Sequence, residues 1–115
     1  MLDNFCERLS RDDHRFDDTL AFIENHYVFT PTAFSNGGLH NTADANQGSC
    51  RVLALAVLEG LSQQQALQAF GEHYRGVMAD PEGHGHANIR ALLQHGLGAV
   101  SFDVFPLQRR QALEA

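Results

Sequence analysis

The chain has 115 residues, with 14 acidic against 8 basic side chains and a formal net charge of −6. At 43% hydrophobic it is too apolar for a disordered chain, and no run approaches the roughly 20 apolar residues of a membrane span. All the basic residues are arginine, and an acidic chain with so few cations lacks the positive stripe that nucleic acid or an anionic membrane requires, so neither is expected as a partner.

Surface scaling has a chain of this size burying roughly two-thirds of its unfolded surface, enough for a core without disulfides or a metal. Cys6 and Cys50 form no CxxC pair, which fits a reducing cytoplasm. Met1-Leu2-Asp3-Asn4-Phe5-Cys6 has no positive region followed by an apolar stretch, so no secretory signal peptide is read there.

Leu2, Phe5, Cys6 and Leu9 share a helical face, which predicts a short helix over 2–10. A second helix is predicted with Asp12 or Asp13 as its cap, Asp17 and Asp18 in its first turns, and Phe16, Leu20, Ile23 and Tyr27 along one stripe. Thr30-Pro31 should stop it, because the residue before proline is pushed out of the α region. Ser35-Asn36-Gly37-Gly38 is a tight-turn signal, with Asn-Gly suited to positive φ at both central positions, and it predicts a β-hairpin of 28–34 against 38–41. Residues 41–48 are polar and read as a loop.

Val52 to Leu58 is apolar all round, which marks a helix buried on every side, ended by Gly60. Ser62-Gln63-Gln64-Gln65 is a capping box, and the helix it starts carries Ala66, Leu67, Phe70, Tyr74 and Val77 on one face. Asp80-Pro81-Glu82-Gly83 breaks it. A last helix is predicted over 87–95, with Gly96 placed to end it, followed by a strand over 100–104 closed by Pro106. The expected fold is α+β, predominantly α: four to five helices around a buried central helix at about 49–59, with a small β-hairpin and a short C-terminal strand. It forms one soluble globular domain over 1–106 with a polar tail, 107–115.

Seven phrases then stand together in order: Phe29-Thr30-Pro31-Thr32-Ala33-Phe34, Asn36-Gly37, Asn46-Gln47-Gly48-Ser49-Cys50-Arg51, Phe70-Gly71-Glu72-His73-Tyr74-Arg75, Asp80-Pro81-Glu82-Gly83, His86-Ala87-Asn88-Ile89-Arg90 and Gly96-Leu97-Gly98, with Phe102 after them. Across about 5–102 the chain resembles the HopJ family of bacterial type III effectors. Arg51 stands where that family usually has lysine, Leu97 where it has tryptophan and Asp44 where it has glycine. The resemblance implies a type III effector, and it carries over no catalytic residue.

Export signals of that kind lie in flexible, serine-rich, acid-poor N-termini. Here Asp3, Glu7, Asp12 and Asp13 come early, Ser10 is the one serine before residue 35, and the segment reads as helix. The expected location is therefore the bacterial cytoplasm, with secretion into a host cell unsupported by the N-terminus.

Three groups could carry chemistry. Cys50 falls in the first turn of a helix, where unpaired amides lower a thiol pKa, and His73, His84 or His86 could serve as its base. That arrangement would make a cysteine-dependent hydrolase or acyltransferase; the alternative reading has Ser49 as a cap and Cys50 as a packing residue. His84-Gly85-His86 has a spacing that metals use, but no third ligand is fixed locally, so no metal and no cofactor is expected. Arg51, Arg75 and Arg90 offer planar forks for carboxylate or phosphate, or pair with Glu59, Glu72 and Asp80 inside the fold. The reading preferred from the residues is a binding domain. Asn36, Asn46, Ser49, Arg75, His86, Asn88 and Arg90 would converge on one face to hold a small anionic ligand or a protein segment.

Overall fold

The computed structural model describes residues 2–110. In chain order these form α1 (Leu2–Arg8), α2 (Phe16–His26), β1 (Tyr27–Phe29), β2 (Phe34–Asn36), β3 (Leu39–Asn41), α3 (Gln47–Glu59), α4 (Gln63–Gln68), α5 (Glu72–Ala79), α6 (Ala87–His95), a 3-10 turn at Leu97–Ala99, β4 (Val100–Phe102) and β5 (Leu107–Arg109). The fold is α+β and mainly helical, as expected.

Around α3 the expectation holds with one refinement. Val52, Leu53, Ala54, Leu55 and Ala56 are all buried, packed by α2, α4 and β5, but Val57 is 44% exposed. The buried stretch is thus about a turn and a half rather than the whole apolar run. Gly60 ends the helix in the left-handed region at φ 68°, and Ser62 and Gln65 close the predicted capping box with bonds of 3.0 and 2.9 Å.

The helix predicted from Ser62 to Val77 is two helices. At Gly71 the chain takes φ 60°, ψ −127°, a conformation essentially reserved for glycine, and α5 leaves in a new direction. A Cβ there would lie 2.5 Å from the Phe16 amide nitrogen and 2.7 Å from the Arg15 carbonyl carbon. The glycine therefore serves a backbone-to-backbone approach between the starts of α5 and α2. Glu72 exploits it: Oε1 accepts from the Phe16 amide at 2.7 Å and Oε2 pairs with Arg15 at 3.1 Å. Thus α2 is capped from 56 residues away, with Asp18 also accepting from the Arg15 amide, and not by Asp12 or Asp13.

The strands also differ from expectation. The hairpin is β2 with β3, and the register Asn36↔Leu39 makes Gly37-Gly38 the two-residue turn, at φ 58° and 91°. The turn sits one residue later than the Asn-Gly signal implied, which leaves Asn36 in the strand with its side chain inward. β4 adds to the other edge of β2, giving the order β3-β2-β4. Residues 27–29 pair instead with β5.

The predicted tail therefore begins with a structural strand. Leu107 is buried, Arg109 holds Glu59 through two bonds of 2.8 and 3.1 Å, and Arg110 donates to the Glu24 carbonyl oxygen. The Arg109 guanidinium, aided by the Tyr27 hydroxyl, holds the Glu59 carboxyl below the usual range against its burial. The remainder of the predicted tail, 111–115, lies outside the described residues.

Two glycines test this account. Gly71→Ala is expected to destabilise the fold by more than about 3 kcal/mol, because strain and a backbone clash add. Gly60→Ala, at φ 68° with nothing within 4 Å of the added carbon, should cost only about 1 kcal/mol. Urea denaturation of both variants reads the difference; equal costs would remove the clash from the argument.

Candidate functional site

Asparagine side chains tie the hairpin to two helices. Asn36 on β2, Asn41 on β3 and Asn88 on α6 are all buried. Asn36 Nδ2 donates to the Asn88 carbonyl oxygen at 2.9 Å and to Asn88 Oδ1 at 3.1 Å. Asn41 Nδ2 donates to the same Oδ1 at 3.3 Å, while Asn41 Oδ1 accepts from Asn88 at 3.0 Å and from Asn46 at 2.8 Å. Amides suit this position because each offers donors and an acceptor at once. The result is a closed polar network in a low-dielectric setting, where partnered groups rigidify the fold and unpartnered ones are costly. Asn36 Oδ1 is the one enclosed side-chain oxygen or nitrogen among the described residues without a partner.

The network reassigns two predicted ligand contacts. Asn36, fully buried, and Asn88 face inward and brace the scaffold rather than lining an open face. The arginines turn away as well. Arg75 donates to the His14 carbonyl oxygen at 2.8 Å, and Arg90 donates to the carbonyls of Gly85 at 2.6 Å and Pro81 at 3.4 Å. Arg51 lies over the Phe29 ring at 4.0 Å. None of the three makes the predicted pairing with Glu72, Asp80 or Glu59; Arg15 and Arg109 take Glu72 and Glu59 instead.

What remains together is a group at the starts of α3 and α6. Asn46 and His86 precede these helices with φ of 54° and 56°, the two non-glycine residues at positive φ among those described, and no side chain caps either helix. The Asn46–Asn41–Asn88 bridge holds the two N-termini in one body. The Phe16 ring lies 3.0 Å from the point where a Gly48 Cβ would stand, so only glycine lets α3 approach without displacement. That ring meets His73 edge-on at 5.0 Å, and His73 in turn meets His86 at 4.8 Å. Ser49 is half-buried in the first turn of α3, and His86 is exposed.

Uncapped helix N-termini present N–H donors and a partial positive charge, and two imidazoles add hydrogen-bonding nitrogens. Together they can receive an anionic group. Glu72 offsets part of that field: burial pushes its carboxyl up, but the Phe16 amide, its own amide, Arg15 and His73 outweigh this and hold it below the usual range.

The thiol chemistry has no such support. Cys50 is 0% exposed and belongs to the core, and burial pushes its thiol up to about 11 despite the opposing charge of Arg51. The first-turn position that suggested a thiolate is overridden by desolvation. His84 and His86 gain no third partner: no cluster of three metal-ligating side chains occurs among the described residues.

Sequence reasoning gave no site role to Asn41, Phe16 or His14, and named Glu72 only as a partner for the central arginines. Glu72 lay in a recognised phrase and Asn41 between two of them, but their partners are 56 and 47 residues distant. Nothing local marks His14.

Comparisons with known proteins bear on the family and the fold. The family model of the HopJ type III effector protein matches residues 2–107. A crystal structure of an unknown-function protein, VPA0580, is 37% identical, with a TM-score of 0.88 over 95% of this chain and 93% of that one. Among curated proteins none matches. No helix among the described residues is long and apolar enough to cross a membrane.

The Cys50 result is open to direct measurement. Native protein at pH 8 should leave Cys50 unlabelled by iodoacetamide over hours while urea-unfolded protein reacts fully, as mass spectrometry of the Cys50 peptide would show. Rapid native labelling would restore the nucleophile.

Proposed function

The chain belongs to the HopJ type III effector family, and from that premise we propose that it is a small binding domain for an anionic group, a carboxylate or phosphate on a small ligand or a protein segment. The observation that supports this reading is the pairing of two uncapped helix N-termini, α3 and α6, in one rigid body with His73 and His86 on the same side. Asn46, Ser49, His73 and His86 form the binding set. Asn36 and Asn88 hold it in shape, and Arg75 and Arg90 brace the loops behind it.

Inorganic phosphate is the simplest probe. Titration into labelled protein should shift the amides of Gly48, Ser49 and Ala87 and the His86 ring together and saturably, in the millimolar range. His86→Gly keeps the positive φ that this position needs while deleting the imidazole, and is expected to weaken binding about threefold to tenfold. Scattered, non-saturating shifts would sink the reading.

A second reading concerns location. Phe5 and Leu9 are buried in the core, so α1 is part of the folded domain. We place the protein in the bacterial cytoplasm, because export would first have to pull α1 out of that core. Residues 1–30 fused to a translocation reporter should remain in the bacterium; delivery of the reporter into host cells would overturn this.

A further inference from the structure

A cleft of about 410 Å³ lies between α2, β1 and α3, with Leu20, Ile23, Glu24, Phe29, Arg51 and Arg110 among its lining residues. It is separate from the α3–α6 face, since none of Asn46, Ser49, His73 and His86 lines it. Ile23 is buried, and Leu20 and Phe29 are half-buried. Tyr27 completes the wall, but its hydroxyl is bound to Glu59, which Arg109 also holds, so that group is already used. The charged groups left at the cleft are Arg51, Arg110 and Glu24.

Arg51 is the unusual member. It is half-buried, yet it forms no ion pair and donates no hydrogen bond among the described residues. Arg15, Arg75, Arg90 and Arg109 each donate to a carboxylate or a carbonyl oxygen. Arg8, which also has no ion pair among the described residues, is exposed. The Arg51 guanidinium carbon lies 4.0 Å from the centre of the Phe29 ring. A contact over a ring engages the face of the guanidinium and consumes none of its five in-plane N–H donors. A partly desolvated cation with unused donors is the group that an anion stabilises most.

Arg110 is held differently. Its Nε and Nη2 donate to the Glu24 carbonyl oxygen at 3.1 and 2.8 Å, which ties the fork to α2 and leaves Nη1 without an acceptor among the described residues. The Glu24 carboxylate is exposed and pairs with neither arginine, so it opposes an anion here. Two positive groups thus stand against one negative group.

We propose that the α2–β1–α3 cleft binds a phosphate dianion, free or as a monoester, between Arg51 and Arg110. A phosphate has enough oxygens to accept from both forks, whereas a monocarboxylate brings two oxygens and half the charge against the opposing Glu24. Both guanidinium groups are already positioned, one by a ring and the other by a carbonyl oxygen, so binding has few rotamers left to order.

The test varies the ligand before it varies the protein. Full-length protein labelled on arginine nitrogen is titrated with inorganic phosphate, phenyl phosphate and acetate at pH 8, where the phosphates are dianions. The Arg51 and Arg110 Nε–H signals should shift together and saturably with both phosphates. Equal affinities point to free phosphate and a tighter phenyl phosphate to a monoester, while acetate should bind about tenfold more weakly. The amides of Gly48 and Ser49 report on the α3–α6 face, so the two sites can fail separately. Arg51→Gln should weaken phosphate about tenfold, and Arg51→Lys, which keeps the charge but loses the fork, about threefold. Glu24→Gln, an exposed change, should tighten it about twofold to threefold. No saturable shift at the two arginines, acetate binding as well as phosphate, indifference to Arg51→Gln, or no gain from Glu24→Gln would each overturn the proposal.

Discussion

The backbone of Gly71 lies against the backbone of Arg15 and Phe16 so closely that no Cβ fits between them, and most of the molecule is organised by that contact. It brings the start of α5 to the start of α2, which lets Glu72 cap a helix that its own local sequence leaves without an adequate cap. From there two sets of contacts diverge. On one side Phe16 reaches Gly48 and His73, which places His86 and the starts of α3 and α6 on one face. On the other, Thr19 reaches Ala69 and Arg75 reaches His14, which fixes the position of a buried imidazole.

The asparagine network plays the complementary part. The hairpin strands are three residues each, too short to hold a register unaided. Hydrogen bonds from Asn36 and Asn41 to Asn88 supply directional contacts where burial alone would allow the strands to slide. The arrangement leaves one carbonyl oxygen of Asn36 without a partner, a cost that the surrounding bonds have to outweigh. The same bridge continues to Asn46, so the residues that appeared to be ligands are the reason that the proposed anion face is rigid.

Charge is distributed by the same logic. The central cations, read as forks for a ligand on the α3–α6 face or as partners of internal acids, are committed in neither way: Arg75 and Arg90 bind carbonyl oxygens, and Arg51 an aromatic face. Each serves as a brace, a role that suits a planar fork with several donors. The acids are used equally locally, with Glu72 and Glu59 each held below the usual carboxylate range by the contacts that fix them. The burial of Cys50 belongs to the same pattern, since a helix start can activate a thiol only where water or a counter-charge reaches it.

The features legible along the chain were those whose physics is confined to a few residues. The Ser62–Gln65 capping box, the Gly60 and Gly96 helix ends and the apolar run at the heart of α3 depend on neighbours within one or two turns, and all four appear where they were expected. The hairpin was legible, but its turn was displaced by one residue because Asn36 is drawn inward by Asn88, 52 residues away. The break at Gly71 looked like an ordinary helical position until the backbone of α2 occupied the space beside it. Leu107 and Arg109 read as tail until Tyr27–Phe29 and Glu59 gave them partners. Local propensity and periodicity therefore specified most of the helices and the core, while the family was legible only in the shared phrases. Which polar residues became scaffold was settled by contacts across 50 or more residues, because a side chain's hydrogen-bonding capacity is assigned only when the folded chain brings its partners within reach.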